Sequence, residues 1–453
     1  MSFTTWPWQH WAKQRGDETA LILTGQRLSW GQLAEQVDAL AGGFYQQGVR
    51  EGDGVGLTGK NSPQLLLAWL ALLQCGARLV PLNPQFPDPL LRQLLPGLSL
   101  SYAWAGAEST PLPGLRPLRL INAGKWQVPW QPQRLATLIL TSGSSGLAKA
   151  AGHSCAAHLA SASGVLSVID YRPTDSWLLS LPLFHVSGVG ILWRWLLAGA
   201  RLVVKPALPL AQGLQGCTHA SLVPTQLWRL LAQEQPMDSL REVLLGGAAI
   251  APALTQAAGE RGLTCWCGYG LTELASTVCV KRADNAPDIG SPLAGHKIKI
   301  VGGEIWLQSA SLASGYWQQD RLVPITNAQG WFATRDGGRF VNNKLTLTGR
   351  LDNLFFSGGE GIQPEQVEQV IAGHPAIRSV FIVPQTDAEF GQLPVAVVEA
   401  DPKVTFAGID AWLADKLPRF QRPVRWVSIP EEYKRDGIKV SRQKLIHWIN
   451  NAD

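Results

Sequence analysis

The chain is poor in charge: Asp, Glu, Lys and Arg make up only 16% of its 453 residues, against 46% hydrophobic residues. That balance excludes a disordered polymer and implies large buried cores. An excess of one sign is also scarce. The net charge is +5 and no lysine/arginine block interrupts the sequence. A nucleic-acid partner is therefore not expected, whereas a mildly basic surface suits small anionic ligands. Long apolar runs are missing. The stretch Leu65–Leu73 falls well short of the roughly 20 residues needed to cross a bilayer, so no membrane span is expected. Met1–Trp6 contains no basic segment leading into an apolar one, so no secretory leader is expected and a cytoplasmic location is the default. The six cysteines, Cys75, Cys155, Cys217, Cys265, Cys267 and Cys279, are scattered. Cys265 and Cys267 would share one face of a strand, a spacing too close for a usual zinc half-site, so core packing rather than metal or disulfide is predicted. What is abundant is tryptophan, 19 in all, to which the sequence alone assigns no function.

The length asks for more than one domain. In the first half, strand-like and helix-like segments alternate: Gly54–Leu57, then Pro63–Cys75, then Leu79–Pro81. The alternation resumes at Trp177–Leu181, Gly190–Ala198 and Leu202–Val204, and again from Ala220–Val223 to a strand at Leu263–Cys267 that ends at Gly268. Such βα alternation predicts parallel sheets. Near His296 the pattern changes. Lys297–Val301 and Glu304–Gln308 flank Gly302-Gly303, a two-residue hairpin signal that opens an antiparallel, barrel-like module with Trp331–Thr334 and Lys344–Gly349. The last hundred or so residues read as a compact βα module. Pro111–Pro132 reads as a proline-sprinkled connection.

Chemistry concentrates in a few segments. Thr141, Ser142, Gly143, Ser144, Ser145, Gly146 and Lys149 follow the apolar run Leu135–Leu140. Two glycines, several hydroxyls and one cation after a buried strand suit a polyphosphate. The glycine spacing is not that of a Walker loop, and Ala150 stands where a magnesium-binding Ser or Thr would follow the lysine. Gly268-Tyr269-Gly270-Leu271-Thr272-Glu273 lies at a presumed parallel strand end, where ligands collect in open α/β sheets. Tyr269 can face a base, Thr272 a phosphate and Glu273 a magnesium ion. Gly246, Gly247 and Ala248 end another strand with little bulk, leaving room for a flat ring. Asp336 can accept from ribose hydroxyls, and Arg350 can reach ribose or phosphate. Taken singly, Asp336 and Arg350 read first as a surface ion pair, the commoner case, and Lys439 as a solvated lysine before a helix. Gly54-Val55-Gly56-Leu57-Thr58-Gly59 formally matches a dinucleotide fingerprint, but its first two glycines fall inside the strand and no acid follows at the required distance, so that reading is rejected.

Together these segments resemble the adenylate-forming superfamily of acyl-CoA synthetases, luciferases and adenylation domains. The resemblance runs from about Ala20 to the C-terminus through Ser142–Lys149, Pro182–His185, Gly268–Glu273, Asp336, Gly349–Asp352, Ser357–Ile362 and Lys439, in order. Two departures stand in the phosphate loop, Ser145 for the usual Thr and Ala148 for the usual Pro. The resemblance implies a large α/β domain over residues 1–350, built of two doubly wound βα layers and the barrel-like module. A small mobile α+β domain over residues 351–453 would turn on Asp352. It implies ATP, Mg²⁺ and CoA as reactants, with Glu273 holding the metal and Lys439 acting in adenylate formation. His185, Gly358 and Gly359 would line a thiol tunnel. The segments Leu179–Gly188, Thr218–Leu227 and Arg350–Pro364 look like those of CoA ligases for an aromatic keto-diacid. On that reading Arg194, which interrupts an otherwise apolar helix, meets the second carboxylate, with Ser221, Ser276 and Thr277 as further pocket candidates. A snorkelling arginine is the purely structural alternative for Arg194, and a buried core residue that for His185. A ligase for another aryl or acyl acid, a binding-only adenylate protein and a carrier-loading enzyme are the competing functions. The sequence is compatible with a homo-oligomer.

Overall fold

The computed structural model describes every residue except 1, 108, 142–148, 207, 234–236, 249, 285, 359, 403, 432, 434–439 and 452–453. Two large sheets carry the first two-thirds of the chain, as the βα alternation predicts. The nine-stranded sheet runs Ser291–Pro292, Ser276–Arg282, Thr264–Leu271, Glu242–Leu245, His219–Leu222, Ser176–Leu178, Arg201–Val204, Thr19–Leu23 and Gln26–Ser29. Its centre is parallel and its two margins antiparallel. The eight-stranded sheet runs Arg321–Val323, Gly315–Gln318, Ala150–Ser154, Leu135–Leu140, Arg78–Leu82, Gly54–Thr58, Tyr102–Ala105 and Arg116–Pro117. Gly54 and Gly56 lie within a strand, so the fingerprint reading fails as expected.

The antiparallel module is a four-stranded sheet of His296–Val301, Glu304–Ser309, Phe332–Val341 and Lys344–Arg350. Gly302 and Gly303 both take positive φ (57° and 83°), the twist a two-residue hairpin needs. After Arg350 comes an α+β region. Its strands Ile377–Asp387 and Gly391–Ala400 form one long antiparallel hairpin, and Arg425–Ser428 joins in parallel after the helix Phe406–Leu413. The sequence reading of simple βα alternation here missed the hairpin.

A second departure bears on the site. The strand predicted to stop at Cys267 continues to Leu271, because Gly268 and Gly270 pair antiparallel with Ser276–Arg282. A Cβ at Gly270 would come within 2.0 Å of the Ser276 carbonyl oxygen, so only glycine lets the hairpin close.

The tryptophans are core material. Trp6, Trp8, Trp30, Trp69, Trp177, Trp193 and Trp195 are almost fully buried. The N-terminal helix Pro7–Arg15 packs into this core, where the Trp11 indole donates to the Leu196 carbonyl at 2.7 Å. Trp30, the first residue of a helix capped by a Ser29–Gln32 box, stacks on Trp195 at 5.1 Å. All six cysteines are free thiols, five buried and Cys267 partly so, which fits packing.

Candidate active site

The phosphate loop is anchored at its base. Leu135–Leu140 and Ala150–Ser154 pair antiparallel, and the Thr141 N–H donates to the Lys149 carbonyl at 2.8 Å. Ser142, Gly143, Ser144, Ser145 and Gly146 lie outside the described residues, as do Gly359 and Lys439. Lys149 is exposed, with its ammonium 5.0 Å from the centre of the Tyr316 ring. The Tyr316 hydroxyl donates to Glu273 Oε1 at 2.6 Å. Burial, with the Glu273 carboxylate, pushes that phenol well above its ordinary pKa, so it remains a donor. Glu273 is half-buried on the short 3₁₀ turn Thr272–Leu274. Among the described residues no group of three or more His, Cys, Asp or Glu could hold a metal. A single carboxylate beside the loop fits Mg²⁺, which is commonly held by one or two carboxylates and completed by substrate phosphates.

Behind this edge lies a fully buried imidazole. His153, on the strand leaving the loop, is lowered to about 4 by burial, partly offset by backbone groups of Glu273, Thr272 and Ala151. Those groups lie beside the ring without meeting hydrogen-bond geometry at either nitrogen. His158 Nε2 pairs with Thr137 Oγ1 at 2.8 Å, and the His158 ring stacks on Trp193.

At the strand end expected to face a nucleoside, a Cβ on Gly246 would lie 3.5 Å from the Gly268 carbonyl oxygen, and Gly247 takes φ 82°. The end of Glu242–Leu245 is thus smooth where it meets Gly268, with Gly247 and Ala248 exposed. Tyr269 is buried, and its hydroxyl donates to Asp336 Oδ2 at 2.5 Å. Arg350 bonds Asp336 Oδ1 at 3.1 Å and grips Asp352 with two bonds of 3.0 and 2.9 Å. The Asp352 contact, with Asp336 beyond it, raises the Arg350 pKa above its ordinary value. Thr334 fixes the turn: its hydroxyl accepts from the Asp336 N–H at 3.0 Å and donates to the Ile305 carbonyl at 2.8 Å.

Arg194 does not snorkel. It sits on the helix Val186–Ala198 with 2% of its surface exposed. Its Nε donates to the Gly190 carbonyl at 2.8 Å, while Nη1 has no hydrogen-bond partner among the described residues. The guanidinium lies 4.7 Å from the Trp177 ring centre. Burial lowers its pKa to about 9, which leaves it a cation at neutral pH. A Cβ at Gly190 would be 3.1 Å from both Arg194 Nη2 and Ser276 Oγ, so this glycine leaves room for the two groups. Ser276 Oγ is 3.5 Å from Thr277 Oγ1, and the Trp177 indole donates to Ser221 Oγ at 3.2 Å. All four predicted pocket residues therefore gather around Trp177 and Gly190. Ala275 and Ser276 both carry positive φ (53° and 127°), a strained corner for residues other than glycine.

His185 precedes this helix and is exposed, its ring tilted at 58° to that of Phe184, so it is not a buried core residue. Gly358 is exposed, takes φ 57° and donates its N–H to the Phe390 carbonyl at 3.0 Å. Sequence reasoning missed Tyr316, Trp177, Thr334 and His153. A Gly-Tyr pair and a strand tryptophan carry no distinctive spacing, and positive φ at Ala275 has no sequence signature.

Two α/β layers whose glycine-rich edges carry a half-buried glutamate, an exposed lysine and a buried aspartate define an adenylate-forming enzyme. The chain belongs to the AMP-binding enzyme family, whose model matches residues 8–317, and the family's C-terminal domain matches residues 366–435. It is 58% identical over 450 residues to the 2-succinylbenzoate–CoA ligase of Escherichia coli K12, covering 99% of each chain. An arginine-to-lysine variant of E. coli MenE with bound OSB-AMS superposes with TM-score 0.94 at 55% identity, over 99% of each chain. A Bacillus subtilis MenE in complex with ATP and magnesium ion shares the fold at 23% identity, TM-score 0.85, over 94% of this chain and 96% of that one.

Proposed function

We infer that this chain is an ATP-dependent ligase that activates the succinyl carboxylate of 2-succinylbenzoate as an acyl-adenylate, releases pyrophosphate, and passes the acyl group to CoA, a step of menaquinone biosynthesis. The observation that carries the choice of acid is Arg194, a buried cation with a donor nitrogen that has no partner among the described residues. An uncompensated buried charge is costly, and the second carboxylate of the substrate is the group that compensates it. Ser221, Ser276 and Thr277 supply short hydroxyls around the same acid. A carboxylate and a thiol do not condense favourably in water, and the phosphoanhydride supplies the driving force.

The remaining assignments are proposals of the same reading. Thr141, the loop through Gly146 and Lys149 cradle the polyphosphate. Gly246, Gly247, Ala248, Gly268, Tyr269 and Gly270 bound the adenine, and Asp336 with Arg350 holds the ribose. Thr272 faces the α-phosphate. Glu273 holds Mg²⁺, which when bound spreads the charge of the reacting phosphates. Lys439 neutralises the oxygens that gain charge in the first step. The large domain spans residues 1–350 and the small one residues 351–453. Turning at Asp352 withdraws Lys439 and brings Gly358 and Gly359 toward His185 to admit the CoA thiol. The Arg350–Asp352 grip next to the turn supports a pivot there.

The test is incubation with ATP, Mg²⁺, CoA and a panel of acids. AMP and pyrophosphate should appear, with 2-succinylbenzoate preferred over benzoate and succinate. Formation of ADP and phosphate, or indifference to the second carboxylate, would overturn the reading.

A further inference from the structure

Tyr316 belongs to neither the phosphate loop nor the Gly268–Glu273 segment, yet it touches a charged group of each. It sits on the strand Gly315–Gln318, opposite Ala151 and two positions beyond Lys149 along the neighbouring strand. Its backbone is tightly held. A Cβ at Gly315 would come within 2.5 Å of the Val323 carbonyl oxygen, so the strand has no room to shift there. Just upstream, the Ala313 N–H donates to the Glu273 carbonyl at 2.7 Å and the Ser314 N–H to the Gly152 carbonyl at 2.9 Å. The segment thus stitches the strand after Lys149 to the turn that carries Glu273.

We propose that Tyr316 is a positioning residue for both charges: its ring face carries Lys149 and its hydroxyl carries Glu273, holding the two apart and open to an incoming Mg²⁺–nucleotide. A lysine and a glutamate this near one another would otherwise pair and cancel the fields that the phosphates and the metal need. The quadrupole of the ring attracts the ammonium without neutralising it. The phenol occupies Glu273 Oε1 alone and fixes the rotation of the carboxylate. This rests on the proposed metal role of Glu273, and the test separates the two claims.

ATP binding is measured by calorimetry with Mg²⁺ and with EDTA in native protein, Tyr316→Phe, Tyr316→Leu and Glu273→Gln, beside the Mg²⁺ dependence of adenylate formation. Tyr316→Phe keeps the ring, so ATP affinity in EDTA should stay native. The Mg²⁺-dependent gain in affinity should shrink about tenfold, the worth of a hydrogen bond to a charged group. The Mg²⁺ concentration for half-maximal rate should rise in step. Tyr316→Leu should also weaken ATP in EDTA, because Lys149 then falls onto Glu273. Glu273→Gln should abolish the Mg²⁺-dependent gain. If Glu273→Gln keeps that gain, the metal role fails and the proposal with it. If Glu273→Gln loses the gain while Tyr316→Phe matches native protein, the proposal alone is overturned. Should Tyr316→Leu not fold, Tyr316→Phe decides by itself.

Discussion

The Arg194 guanidinium lies over the indole of Trp177, whose N–H is committed to Ser221. The cation is thereby held by a π surface on one side and by its own helix carbonyl at Gly190, and Nη1 has no partner among the described residues. On the proposed reading, removing it takes away the partner of the second carboxylate of the acid. Arg194→Ala should lower kcat/KM for 2-succinylbenzoate on the order of a hundredfold or more, with the KM for ATP little changed. Arg194→Lys keeps the charge but not the planar stacking, and should fall between. Steady-state kinetics with each substrate varied in turn checks both.

Asp336 receives Tyr269 on one oxygen and Arg350 on the other. Asp336→Asn keeps the shape and loses the charge. The KM for ATP should rise about tenfold, as when a charged hydrogen bond is weakened, and the KM for the acid should not. Pyrophosphate release with each substrate varied separately reads this.

His153 gives the fold a pH dependence whose sign is fixed. Its folded pKa of about 4 lies below the 6.5 of a free imidazole, so between those values the unfolded chain binds more protons. The contribution is complete above pH 6.5 and is lost as the pH falls toward 4. It amounts to roughly 3 kcal/mol at most by the usual conversion from pKa to free energy. Urea midpoints should drop over that window, and the drop should be shallower in His153→Leu. His158, also held neutral by burial, steepens the same limb.

Lys439→Ala should slow adenylate formation far more than transfer to CoA from preformed adenylate. Equal losses in the two half-reactions, measured separately, would remove Lys439 from its assigned step.

Much of this was legible in the sequence because both the parallel layers and the glycine-rich segments leave local marks. Apolar runs of four to eight residues punctuated by glycine place the strands around Thr141, Gly246 and Gly268. What stayed hidden depends on partners distant in sequence. Gly268 looked like a strand end, yet antiparallel pairing with Ser276–Arg282 carries the strand to Leu271. Tyr316 earns its place only because its strand lies beside the one leaving the phosphate loop. The surroundings of Arg194 follow from the packing of its helix against the strand that carries Trp177 and the turn at Ser276, which no periodicity announces. The C-terminal hairpin escaped because Ile377–Asp387 and Gly391–Ala400 lack a turn dipeptide of the strongest kind.

The helix that carries Arg194 is wedged on both sides of that residue. Trp193 lies against His158 and Trp195 against Trp30, and the N-terminal helix ties down the Leu196 carbonyl through Trp11. Such a helix cannot spin about its axis or slide along it to meet a different molecule. On the role proposed for Arg194, the guanidinium is an end-stop held in place by the indoles around it. An acid one carbon longer or shorter would then have to bend itself to fit, and selection by length would come from the rigidity of the wall rather than from any contact with the chain between the two carboxylates.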